Sequence, residues 1–164
     1  MRSVIDWILS TDLSWLALNV DWAWPVSEAL HFIGLVLLAG TVGLFDLRVL
    51  GLAKGIAPAA LHKLLRFGLA GFVLSACTGA LFIAGAPDQY FFNAAFHLKV
   101  IGLVLMGANA AVFYATPYRR VRALGPADDA PPAAKACAAI SLTLLVVVMC
   151  CGRMLTFFRP PSIY

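Results

Sequence analysis

His31, His97 and Arg153 stand out because each lies inside a stretch apolar enough for hydrocarbon. An ionisable side chain at membrane depth is costly, and it marks a partner, a cavity or a functional site. An imidazole there must satisfy both ring nitrogens or bind something. Arg153 offers a planar fork that matches a carboxylate. His31 sits in the run 28–52, EALHFIGLVLLAGTVGLFDLRVLGL, which also holds Asp46 and Arg48. These last two are two residues apart and cannot face each other on a helix. Asp46 is expected to pair with Arg66 or to meet Asn109, as a structural clamp. Lys99 follows His97 by two residues, so it points to the other side and is expected to snorkel outward. His62 lies beside Lys63 and Arg66, where a wet interface satisfies it.

The rest of the composition sets the solvent around these groups. Of 164 residues, 62% are hydrophobic and 12% charged, against roughly 25% charged in soluble domains. The chain is therefore expected to live in a lipid bilayer. The net charge of +4 is modest and clusters beside the apolar runs. It reads as a topology signal and gives no surface for nucleic acid. Cys77, Cys137, Cys150 and Cys151 form no CxxC pair and read as small packing residues without a disulfide framework. No HExxH, phosphate loop or nucleophile elbow occurs.

The elements that must position the polar groups are helices. The predicted fold is all-α: an integral membrane four-helix up-down bundle, 25–164, after a short interfacial helical segment, 1–24. That segment holds every Trp of the chain, at Trp7, Trp15, Trp22 and Trp24, and Trp prefers the headgroup level. Asp6, Asp12 and Asp21 interrupt it, so it is not expected to be a signal peptide. Spans are predicted over 26–52, 61–86, 93–118 and 132–158, each matching the ~20 residues that cross a bilayer. Pro25, Pro58, Pro87, Pro117, Pro131 and Pro132 punctuate their ends.

The first join carries Lys54, flanked by Arg48, Lys63 and Arg66, and the third carries Arg119, Arg120 and Arg122. The second has Asp88 and no basic residue. Basic joins belong in the cytoplasm, so both termini are expected on the outer, periplasmic side of a bacterial inner membrane. His31, His97 and Arg153 then fall roughly 9, 6 and 9 Å below the outer boundary, at 1.5 Å per residue. Two histidines at one depth on facing helices suit the axial positions of haem b. Arg153 would then lie toward a propionate. Gly34, Gly40 and Gly43 would let a flat ring approach the backbone. The alternative is a polar cluster without cofactor, in which the histidines bond to Glu28, Asn93 or a carbonyl. Gly71, Ser75 and Gly79 repeat every fourth residue and read as a helix-packing face.

The strings LHFIGLVLLAGTVGLFDLRVLGL and NAAFHLKVIGLVLMGANAAVF resemble an uncharacterised family of small bacterial four-helix inner-membrane proteins. More remotely, the Leu-His opening of the first span, Arg48 and the His-x-Lys ending at Lys99 are similar to membrane protoporphyrinogen oxidases and the copper resistance protein D group. The oxidase resemblance implies a haem-binding histidine, carried onto His31, and a functional lysine, carried onto Lys99. Gly51 and Leu52 stand where that group ends its first helix in a Tyr-His pair. Three functions remain open. One is a b-type haem protein passing electrons with quinone or a redox partner protein. The second is a cofactor-free accessory subunit or homo-oligomer. The third is an enzyme oxidising porphyrinogen.

Overall fold

The computed structural model describes residues 2–158. Positions 159–164, the end of the predicted second domain, lie outside the described residues. The described residues are helical and contain no strand, and four helices are long and apolar enough to span a membrane. The protein is an all-α membrane bundle.

Two short helices come first, α1 (Arg2–Leu9) and α2 (Asp12–Asn19). Thr11 caps α2, its hydroxyl accepting from the Ser14 amide at 3.3 Å. A helix start leaves unpaired amides, and a Thr cap satisfies one of them. Ile5, Ser14 and Ala17 turn inward, while Trp7, Trp15 and Trp22 stay exposed, at 67%, 62% and 64%. That split is the pattern of helices lying at an interface, apolar bodies outward at the headgroup level.

The first span is α3 (Ala23–Leu50). It stops at Gly51, whose φ of 101° is left-handed and favours glycine. The second apolar stretch is divided into α4 (Pro58–His62) and α5 (Leu65–Gly85). The expected uninterrupted second span therefore has a break at Lys63 and Leu64, where no Pro or Gly signals it. Short α6 (Pro87–Phe91) leads to the third span, α7 (Ala94–Ala115), capped by Asn93. The predicted third span ran on to 118, but α8 (Tyr118–Arg122) is a separate turn after Pro117. The last span is α9 (Pro132–Met154).

Within the bundle, α3 packs on α5 and α9, and α9 packs on α7. Helices α5 and α7 barely touch. Among the described residues the four spans therefore pack in the order α5, α3, α9, α7. The tightest seam is α3 against α5. A Cβ on Gly71 would fall 2.5 Å from the Gly34 carbonyl oxygen and 2.8 Å from Leu37 Cβ. Small residues let membrane helices approach this closely and gain dispersion contacts. Gly34 is thereby used for helix contact and offers no approach to a ring. The main buried apolar cluster lies at the basic end, around Phe45, Val49, Phe113, Val121 and Ala134.

Arg48, with no exposed surface, ties that end together. Its Nε donates to the Ile56 carbonyl at 2.5 Å, and its terminal nitrogens donate to the carbonyls of Gly125 and Asp128 at 3.1 to 3.3 Å. One guanidinium satisfies carbonyls from two different joins, using its fixed fork of donors. Asp46 is not the clamp. Arg66 lies over its neighbour Phe67, at 4.8 Å, and Asn109 donates to the Cys137 carbonyl. Asp46 instead faces Ser141 of α9, and its Oδ2 has no partner among the described residues.

Candidate functional site

The site is built on one face of α3. Ser27, His31, Gly34 and Thr41 follow one another at helical spacing along the seam with α5. His31 Nδ1 is 2.9 Å from Thr78 Oγ1. The Thr78 hydroxyl proton is directed to the Leu74 carbonyl at 2.8 Å, or to that of Ser75 at 3.2 Å. The Thr78 oxygen must therefore accept, and His31 Nδ1 donates. That assignment follows from the hydrogen-bond network. It leaves Nε2 as the free nitrogen, with no partner among the described residues. A hydrogen bond fixing one nitrogen so that the other can ligate is the usual arrangement of a metal-binding imidazole.

The ring is held by its surroundings as well. Phe82 meets it edge-on, with centroids 5.5 Å apart, and Trp24 packs on Phe82 at 5.0 Å. Gly79 leaves room beside it, since a Cβ there would reach His31 Cε1 at 3.8 Å. From α7, Lys99 turns into the bundle and is half-buried. Its Nζ lies 3.6 Å from where a Gly152 Cβ would stand, against α9. Among the described residues Lys99 has no carboxylate partner. His31 of α3 thus keeps a free nitrogen, and Lys99 of α7 is a half-buried cation with no carboxylate partner among the described residues.

The structure does not bring His97 and Arg153 to this place. Ala95 and Gly102 mark the buried face of α7, and Lys99 falls in line with them. His97 sits half a turn away and is exposed. Arg153 is two residues past buried Cys151, exposed, with its guanidinium 5.7 Å from the Phe157 ring. His97 and Arg153 of the expected triad do not turn the way His31 does. Lys99, expected to snorkel outward, is the residue that turns inward. A signal was present: Ala95, Lys99 and Gly102 stand at i, i+4 and i+7, and small residues mark helix contacts. His62 donates to or accepts from Tyr114 Oη at 3.2 Å, at the basic end.

Among the described residues, no three His, Cys, Asp or Glu side chains converge on a metal-sized site. A haem asks for less, one or two axial nitrogens and a cation for its propionates. The residues present fit that request through the free Nε2 of His31 and the unpaired Lys99. No protein-family model, curated protein or solved structure matches this chain.

Proposed function

We propose that this protein is a b-type haem protein of a bacterial inner membrane, with both termini on the periplasmic side, exchanging electrons with quinone or a partner protein. The observation that carries the reading is the free nitrogen of His31. His31 has Nδ1 bonded to Thr78 and Nε2 free, and Lys99 turns inward from another helix with no carboxylate partner among the described residues. Each group alone is expensive in hydrocarbon, and a ligand shared between them offsets both costs. His31 would be the axial ligand. Lys99 would satisfy a propionate, in the role first expected of Arg153. Phe82 and Trp24 would keep water from the ring on the outer side. The bound group would supply a one-electron couple, and the apolar wall would set its potential.

The outside placement of the termini rests on the basic joins around Lys54 and Arg119 to Arg122. The test of the cofactor is the visible spectrum of protein purified after expression with a haem precursor, with and without dithionite. A sharpened α band on reduction is expected. Protein that stays colourless defeats the reading and leaves the cofactor-free accessory subunit. The same His31 and Lys99 pair also favours a second reading, because it is the pair that the oxidase resemblance singles out. Turnover of a porphyrinogen by the purified protein would select that reading.

A further inference from the structure

Two grooves adjoin at the basic end of the bundle, on either side of Tyr114. One, of about 520 Å³, is lined by His62, Lys63, Leu65, Arg66, Leu69 and Tyr114. The other, of about 510 Å³, is lined by Tyr114, Tyr118, Arg119, Arg122 and Ala123. Leu65 and Leu69 of α5 give the first groove an apolar side. Tyr114, Tyr118 and His62 stack between the grooves, with ring centroids 4.9 to 5.9 Å apart.

The charge of the pair is one-sided. Lys63, Arg66, Arg119 and Arg122 line the grooves, and no acidic side chain does. Among the described residues none of these four makes an ion pair. The carboxylates of the neighbouring loop are engaged elsewhere. Asp128 Oδ2 accepts from the Gly125 amide at 2.8 Å. Asp129 is bridged to Lys54 at 2.8 Å and to Lys135 at 3.5 Å. Four cations are left around a tyrosine rim, beside the apolar side chains of Leu65 and Leu69.

We propose that these grooves form a binding site for an anionic phospholipid. Its phosphate is held among Lys63, Arg66, Arg119 and Arg122, the Tyr114 hydroxyl bonds to the headgroup, and an acyl chain lies along Leu65 and Leu69. The chemistry is the match of a phosphodiester to guanidinium donors at the level where basic pockets between membrane helices take headgroups. Charge complementarity selects the anionic lipid over a zwitterionic one, and the apolar wall selects a lipid over a free anion. The site is separate from His31 and stands whether or not haem binds there.

The test is the thermal midpoint of detergent-purified full-length protein, titrated with phosphatidylglycerol, with phosphatidylcholine of the same chains, and with inorganic phosphate. Phosphatidylglycerol should raise the midpoint saturably, and the other two should not. Each cation near such a headgroup is worth about fivefold in affinity. The double variant Arg66→Gln/Arg119→Gln should then need roughly 25-fold more lipid for half the shift. Lys63→Gln alone should need about fivefold more. Lys135→Gln, outside the grooves, should titrate like the parent. An equal shift with phosphatidylcholine would overturn the anionic site. An equal shift with inorganic phosphate would show a soluble-anion site instead. Loss of the effect in Lys135→Gln as large as in the double variant would show that general surface charge is responsible.

Discussion

Gly71→Ala should loosen the seam on which His31 depends. The new Cβ would stand 2.5 Å from Gly34 O, 2.8 Å from Leu37 Cβ and 3.0 Å from Leu38 N. Two of these are backbone atoms, which cannot swing aside. Non-bonded carbon contacts settle at about 3.5–4.0 Å, so α3 and α5 must part locally by about 1 Å. A gap of that size forfeits roughly a quarter to a half of each dispersion well along the seam. Overpacking of this kind costs about 1–3 kcal/mol, and replacing a helical Gly by Ala returns up to ~1 kcal/mol. The net expectation is about 1–2 kcal/mol of destabilisation, or a midpoint roughly 2–8 °C lower. Gly40→Ala is the control, because a Cβ there meets nothing within 4 Å. It should melt at or above the parent temperature. Unfolding can be followed with a thiol-reactive dye, since Cys137 and Cys151 are buried. Cys77 and Cys150 are exposed and should first be replaced by Ser. If Gly71→Ala melts at or above the parent, α3 and α5 do not pack through this glycine.

Arg48→Met removes all the donors shared by the Ile56, Gly125 and Asp128 carbonyls. It should destabilise by about 3 kcal/mol, read by the same melt, whereas a parental midpoint would remove the clamp. Lys54 and then Lys135 hold the Asp129 carboxyl below its ordinary 3.8. A carboxylate lowered in the folded state stabilises above its unfolded value and loses that contribution as pH falls through the folded one. The parent should therefore melt slightly above Asp129→Asn at neutral pH, with the gap closing below 3.8. A gap that is constant with pH would exclude this linkage. Reporter fusions at Gly55, Gln89 and Ala127 should read inside, outside and inside, and any other order reverses the basic-join rule here.

Much of the architecture was legible because lipid imposes length and apolarity on each span. The Pro residues and the Trp-rich opening placed most boundaries within a few residues. The break at Lys63 and Leu64 was not legible, since no residue there forbids helix. The site was half legible. Counting residues along a helix gives an expected depth for His31, His97 and Arg153. It says nothing about rotation. In a soluble helix the polar face gives the phase, but in α7 both the packed and the lipid sides are apolar. The phase must come from small residues, and Ala95 and Gly102 point to Lys99 and away from His97. Asp46 missed its expected partners for the same reason, since its direction leads to Ser141 of α9.

The most direct measurement is the haem spectrum of His31→Ala beside that of His97→Ala, both purified after expression with haem precursor. On the proposed reading, His31→Ala should lose the bound haem, because its free Nε2 would hold it. His97→Ala should keep the parental content and the parental reduced spectrum, because its ring is exposed on another side of α7 from Lys99. Haem retained unchanged in His31→Ala, or lost in His97→Ala alone, would contradict the placement of the site.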